Sequence, residues 1–270
     1  MNKQQRKIVE GLANKARILL DEYLTAKRQY DYFIYTVKNE SVTQRFHNSY
    51  GAHIFYLING TLLEDLIKKI YNVVYDSDDR SVSVVNLIEK TKTHRALLEE
   101  HASIVTPVNV SFGDGIPEED QDKLKADFEK EDAQDSLVRF KSVYKKYHDA
   151  FDEFSKYEPL SKWKEIRHKV VSHVDARKVR GELKRTHLSD FGLKYDDLAD
   201  FIQKVENLID LTDGCCASAS YSYDMANDHN ILYTKDFWER VCVGTRYRGG
   251  VKINRRKRES CSFALRNYLK

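Results

Sequence analysis

A short segment of the chain concentrates side chains that can move protons and hold a phosphate. It reads Ser161-Lys-Trp-Lys-Glu-Ile-Arg-His-Lys-Val-Val-Ser-His-Val-Asp175 and places Arg167 close to His168 and His173. Histidine transfers protons near neutral pH. Arginine is a permanent, forked donor suited to the charge that grows on a phosphate during its reaction. Arg167 and His173 therefore predict cleavage of RNA by its own 2′-OH, a reaction that requires no metal ion.

The same segment has the spacing of an amphipathic helix, which we expect over residues 161–176. Its apolar residues recur at intervals of three and four, which predicts a buried stripe; they are Trp163, Ile166, Val170 and Val174. In a regular α-helix Arg167 and His173 lie about 120° apart around the axis and about 9 Å along it. They would flank a groove, and a second copy of the helix from another subunit would bring two such pairs together.

Three further residues of the segment are candidates for supporting roles: His168, Lys169 and Asp175. We expect His168 to lie at the surface or to support the reacting groups, and Lys169 to contact either phosphate or solvent. Asp175 either orients His173 or forms a local ion pair with a following cation. Judged from residue types and spacing alone, Arg167 and His173 fit an exposed basic helix face with a histidine near its end more simply than they fit a catalytic site.

Composition and periodicity predict an all-α chain with long helices. Of 270 residues 41% are hydrophobic and 32% are charged, whereas only 11 are glycine and 3 are proline. That apolar content suffices for a core, and the few breaking residues favour long helices. The expected helices cover residues 3–37, 41–74, a stretch after residue 80, 118–157, 161–176 and 196–212, with a short helix near 221–225. A capping box of Ser41 and Gln44 opens the second of these helices. We expect a loop at 103–118 and a linker that contains Gly181 and Gly192.

The C-terminal end is strongly basic although the whole chain has a formal net charge of only +3. From Arg240 to Lys270 there are ten Lys or Arg residues and one acid. Such clusters bind phosphate backbones without sequence preference, although a solvated tail is an equally simple interpretation. The candidate nucleic-acid-binding residues are Arg246, Arg248, Lys252, Arg255, Arg256, Lys257 and Arg258.

Several classes of protein are disfavoured by what the sequence lacks. We expect no bound metal and no cofactor, because the four cysteines have no ligand spacing and the acidic stretch 118–135 lacks an EF-hand pattern. Free thiols are typical of a reducing compartment. No segment has the pattern of a signal peptide or a membrane span. These features predict a cytoplasmic protein that does not contact a membrane.

The residues also match a known family. Arg167, five intervening residues and His173 fit the Arg–x(4–6)–His motif of HEPN-domain ribonucleases. The string Arg-His-Lys-Val-Val-Ser-His-Val-Asp resembles the AbiU-type abortive-infection branch, and so does Asp76-Ser-Asp-Asp-Arg-Ser-Val-Ser-Val-Val-Asn-Leu-Ile88, which follows a long apolar helix. His168 stands where many HEPN proteins have Asn or Asp. The resemblance extends over residues 40–215.

The resemblance implies an architecture for residues 41–215, while the first 40 and the last 50 residues have no counterpart in it. The expected fold is a HEPN-like up-and-down helical bundle over residues 41–215. A separate N-terminal helix over 1–40 precedes it, and a C-terminal extension with the basic tail follows over 216–270. HEPN ribonucleases are usually homodimers whose motif helices meet in one composite site, so the resemblance also implies a homodimer.

The resemblance further implies an activity. His173 would act as acid and base, Arg167 would stabilise the phosphate, and the products would carry 2′,3′-cyclic phosphate or 3′-phosphate ends. The expected protein is a metal-independent endoribonuclease acting on RNA in antiphage defence or as a toxin, with an antitoxin or defence-system protein as a further partner. The alternative is a non-catalytic helical module that binds RNA or a partner protein.

Overall fold

The computed structural model describes residues 1–47, 51–104, 117–172, 176–179, 182–185, 188–192, 194–219 and 221–243. Helices dominate these residues, which confirms the predicted all-α class. The α-helices are α1 (Lys3–Lys38), α2 (Glu40–Phe46), α3 (Ala52–Tyr75), α4 (Val84–Thr93), α5 (Arg95–Ala102), α6 (Glu118–Ser155), α7 (Leu160–Ile166), α8 (Tyr195–Cys216) and α9 (Tyr223–Val243). None of the helices described is long and apolar enough to cross a bilayer.

The predicted helix over 41–74 is divided into α2 and α3, and its predicted cap is wrong. Asn39, rather than Ser41, caps α2, because its Oδ1 accepts hydrogen bonds from the backbone N–H groups of Ser41 (3.0 Å) and Val42 (3.3 Å). An asparagine side chain just before the first turn satisfies N–H groups that have no partner within the helix. The N-cap, and with it the start of the helix, therefore lies two residues earlier than the capping box indicated.

The predicted helix over 161–176 also ends early. α7 ends at Ile166, and a π-helix follows directly over Arg167–Ser172. A short antiparallel hairpin then pairs β1 (Ala176–Val179) with β2 (Glu182–Arg185), where the sequence indicated the end of a helix and a linker. Backbone pairing between strands uses N–H and C=O groups that a continued helix would occupy, so helix and hairpin exclude each other here.

Two compact units make up the chain, and each draws on separate stretches of sequence. The first comprises Met1–Leu20, Tyr75–Ser155 and Glu206–Ser220. Tyr147 is fully buried in it, and its hydroxyl donates a hydrogen bond to the carbonyl of Val84 (3.4 Å). Asn86 organises the loop before α4, because its Nδ2 donates to the carbonyl oxygens of Asp78 (2.8 Å) and Asp76 (3.2 Å). The segment Asp76–Ile88 thus has a structural role.

The second unit comprises Asp21–Val74, Lys156–Val205 and Tyr221–Lys270. A buried polar cluster connects α1 to α9 within it: Asp31 accepts from Lys27 Nζ (2.8 Å) and from Asn230 Nδ2 (2.9 Å). An aromatic cluster connects α9 to α2 and α3 and contains Phe46, Phe55 and Trp238. These contacts explain why α9 extends far beyond the predicted short helix near 221–225: tertiary packing stabilises a segment whose own periodicity is weak.

Candidate functional site

The helix that carries Arg167 is anchored through its apolar face. Trp163 and Ile166 are buried as the spacing predicted, and the indole ring of Trp163 stacks on Phe201 of α8 with ring centres 5.0 Å apart. The side chains at 170 and 174, the rest of the predicted stripe, lie outside the described residues. The two anchors fix the end of α7 and hence the backbone of the residue that follows.

A second contact holds the start of α7. The hydroxyl of Tyr157 donates a hydrogen bond of 2.5 Å to Asp200 Oδ2, and Lys204 lies over the ring of Tyr157 at 5.1 Å. Burial, followed by the nearby Asp200 carboxylate, raises the pKa of Tyr157 above its ordinary value. The phenol is therefore a neutral donor over the whole physiological range, and it connects the turn before α7 to α8.

Arg167 is the first residue of the π-helix, which changes the expected geometry of the motif. Hydrogen bonds in a π-helix span five residues instead of four, so each turn is wider and each residue turns through a smaller angle than in an α-helix. The separation of about 120° between Arg167 and His173, derived for regular α-helix, therefore does not apply to this segment. Single turns of π-helix occur frequently at functional sites.

The Arg167 side chain is half-buried and rests on an aromatic ring. Its guanidinium carbon lies 4.9 Å from the ring centre of Tyr71 on α3, a distance at which the ring face attracts a cation. Arg167 Nε is covered from solvent and has no hydrogen-bond partner in the part of the chain that the structure describes. A covered donor without an acceptor costs free energy. The guanidinium is therefore held over the Tyr71 ring, and its Nε donor is unused among the described residues.

The neighbouring candidates lie in different surroundings. His168 is exposed, whereas Lys169 is half-buried and forms an ion pair with Glu165 one turn earlier. Lys169 therefore already has a carboxylate partner when phosphate is absent. His173 and Asp175 lie outside the described residues, as do all seven candidate residues of the basic tail.

No group of three or more His, Cys, Asp or Glu side chains able to hold a metal ion occurs among the described residues. Cys215 and Cys216 are buried free thiols. Burial adds to the effect of the adjacent Cys215 in raising the pKa of Cys216 well above its ordinary value. Both thiols are buried, which suits them to packing rather than to nucleophilic or metal chemistry.

Sequence reasoning did not find Tyr71. Its only signal is an aromatic residue in a long apolar helix, and such a residue is most simply a packing residue. No spacing rule connects position 71 with position 167, since the contact forms only when α3 and the end of α7 pack together. The aromatic partner of the motif arginine is therefore a finding of the structure.

The long helices, with Arg167 held at the end of α7, fit a HEPN-type helical protein. Comparison with known families agrees: the model of the HEPN family described as AbiU2 matches residues 7–237. The chain belongs to that family. The match extends on both sides of residues 40–215, over which the sequence motifs indicated the resemblance. No curated protein and no solved structure matches the chain.

Proposed function

We propose that this protein is a metal-independent endoribonuclease in which Arg167 binds the scissile phosphate and His173 transfers protons. The observation that carries the proposal is the state of Arg167: its guanidinium is fixed over Tyr71, and its Nε has no acceptor among the described residues. Membership of the AbiU2 family supports it, because HEPN domains are often ribonucleases. A preorganised cation with spare donors stabilises charge that develops on a phosphate.

The proposed reaction is an internal displacement at phosphorus. The 2′-oxygen of the RNA forms a bond to phosphorus while the bond from phosphorus to the 5′-oxygen of the next nucleotide breaks. A histidine base accepts the proton of the 2′-OH, and a histidine acid donates a proton to the departing 5′-oxygen. The products are a 2′,3′-cyclic phosphate, which water can open to a 3′-phosphate, and a 5′-hydroxyl end.

One histidine serves both proton transfers poorly, because the attacking and departing oxygens lie on opposite sides of the phosphorus. A homodimer supplies two copies of the motif, so that one His173 takes the proton and the other returns one. We therefore propose a composite site between two subunits. The setting we propose is a cytoplasmic defence or toxin effector that is held in check by a partner protein.

The test is cleavage of total RNA and purified tRNA in the presence of EDTA. We expect Arg167→Ala to lower the rate about 10²–10³-fold and His173→Ala to lower it about 10²–10⁴-fold. Lys162→Ala is the matched control, since Lys162 is an exposed cation on α7 outside the motif, and it should cleave as the parent does. Equal cleavage by the parent and both motif variants would contradict the proposal.

The alternative is a non-catalytic module that binds RNA or a protein. The same samples distinguish this alternative from the nuclease. It would be favoured by salt-sensitive RNA binding that His173→Ala leaves unchanged and that produces no new 2′,3′-cyclic phosphate ends. Binding that depends on residues 246–258 would assign the affinity to the basic tail.

A further inference from the structure

An apolar cavity of about 270 Å³ opens within the second unit, well separated in sequence from the motif. It lies among α1, α2, α3 and the first residue of α8. Four aromatic rings contribute to its walls: Phe33, Phe55, Tyr56 and Tyr195. The volume is near the lower end of ligand pockets, about 300–1,000 Å³, and suits a single ring system or nucleoside.

The aromatic walls are held by contacts of their own. Phe33 and Tyr195 meet edge to face with centres 5.8 Å apart, and Phe55 stacks on Phe46 at 4.5 Å. Phe55 also meets the edge of Trp238 at 5.5 Å. Rings fixed from behind give a preformed cavity, and a planar ligand that enters it gains stacking and edge contacts.

The charge of the cavity restricts what it can bind. Among the described residues, no Lys, Arg, Asp or Glu lines it. Its polar groups are neutral side chains: Thr43, Gln44 and Asn59, with His47 exposed at the rim. Neither a phosphate nor a carboxylate finds an ion partner inside. The cavity therefore suits the uncharged ring of a ligand, with any charged part left outside.

Asn59 gives the cavity a polar preference. The residue is only 6% exposed, and its Nδ2 donates to the carbonyl of Phe55 (2.8 Å). Its Oδ1 is covered from solvent and has no hydrogen-bond partner in the described part of the chain. Leaving such an acceptor unpaired costs free energy. An N–H group of a ligand in the cavity would satisfy it once the amide turns toward that group.

We propose that this cavity binds a nucleobase that carries an exocyclic amino group. The aromatic walls match its planar ring, and the lining residues that the structure describes match its neutrality because none of them is Lys, Arg, Asp or Glu. Asn59 Oδ1 matches its amino donor. Unstacked bases of single-stranded RNA are recognised by stacking on aromatic side chains together with hydrogen bonds to their edges. The base can come from RNA or from a free nucleoside; only the RNA source rests on the proposed nuclease function.

The first experiment measures thermal stabilisation of the full chain by nucleosides. Adenosine should raise Tm in a saturable way, because a ligand that binds only the folded state stabilises it. Purine riboside, which lacks the amino group, should bind about 10-fold more weakly, as expected for one lost hydrogen bond to a buried group. The Asn59→Leu variant should fold with a Tm not below that of the parent and bind adenosine and purine riboside equally weakly.

Two further variants separate the cavity from general effects on folding. Gly60→Met places a flexible side chain at a residue that lines the cavity, so it should abolish the response to adenosine. Gln29→Leu also removes a buried, unpaired amide oxygen but lies away from the cavity, and its response should remain. An absent Tm shift with every nucleoside, or shifts that Gly60→Met leaves intact, would overturn the proposal.

The source of the base is resolved with the His173→Ala chain, which should bind RNA without cutting it. Short single-stranded RNA is titrated into this chain with and without Asn59→Leu. An affinity that falls about 10-fold with Asn59→Leu assigns the cavity to RNA, whereas unchanged RNA affinity together with adenosine binding assigns it to a free nucleoside. Loss of nuclease activity in other tests leaves the nucleoside titration unaffected, so the two proposals fail independently.

Discussion

Replacing Tyr71 by leucine should loosen Arg167 and weaken both folding and cleavage. The ring of Tyr71 lies 4.9 Å from the Arg167 guanidinium, and the arginine is half-buried. Cation–π contacts contribute about 0.5–1 kcal/mol at exposed sites and about 2 kcal/mol where the cation is desolvated. The half-buried pair lies between these limits, so the contact should contribute about 1 kcal/mol to the free energy of unfolding.

The pairwise contribution is measured by a double-mutant cycle of Tyr71→Leu, Arg167→Met and both together, in urea denaturation at equilibrium. We expect a coupling energy of about 1 kcal/mol, whereas independent sites add within about 0.3–0.5 kcal/mol. Tyr71→Phe keeps the aromatic ring and should retain most of the coupling. Additive changes in the cycle would refute the assignment of Tyr71 as the support of Arg167.

The same variants connect the contact to the reaction. If the ring holds the guanidinium against the phosphate, 1 kcal/mol of lost positioning lowers kcat/KM about 5-fold. Tyr71→Phe should cleave RNA at close to the parent rate, and neither variant should shift the pH profile, because Tyr71 transfers no proton. A Tyr71→Leu enzyme with parental kcat/KM would show that the contact serves folding alone.

Three further expectations concern groups away from this contact. Burial and, to a smaller extent, repulsion by Asp210 raise the pKa of Asp213. Ionisation of Asp213 therefore opposes folding, and the free energy of unfolding falls as pH rises through that pKa. Asp213→Asn should raise Tm at pH 7 but not at pH 3. Asp31→Ala should lower the free energy of unfolding by about 3–5 kcal/mol, because it removes the carboxylate beside buried Lys27. The double variant Lys27→Met, Asp31→Leu should recover much of that loss of stability. Deleting residues 246–258 should reduce the slope of log Kobs for RNA against log salt by up to about 5, at about 0.7 per lost phosphate contact; an unchanged slope would exclude the tail from binding.

The sequence predicted the helices well wherever one face is continuously apolar. α1, α6 and α8 match the expected spans within a few residues at each end, because their apolar residues recur at helical spacing. It failed where local and tertiary effects compete. The start of α2 follows a cap at Asn39 rather than at Ser41. The early end of the helix after α7 is followed by a hairpin, whose backbone pairing helical periodicity does not predict.

The sequence predicted the buried face of the helix that leads to Arg167, but not the local geometry around Arg167. Arg167 was identified by residue type and spacing, and its helix was placed correctly by Trp163 and Ile166. The π-helix that begins at Arg167 could not be predicted, because the same residues are compatible with a regular α-helix. The contact with Tyr71 and the cavity around Asn59 arise from packing between distant segments, which sequence spacing does not encode.

α3 connects the two proposed binding features of the second unit. Asn59 faces the cavity and Tyr71 supports Arg167, and twelve residues of helix separate them by about 18 Å at 1.5 Å per residue. If both proposals hold, one RNA strand can place its scissile phosphate at Arg167 and a base several nucleotides away in the cavity. Cleavage would then depend on the identity of that distant base, and free adenosine would inhibit it competitively. Because α3 is a continuous helix, it acts as a rigid spacer, so the distance between the recognised base and the cut should be constant across substrates.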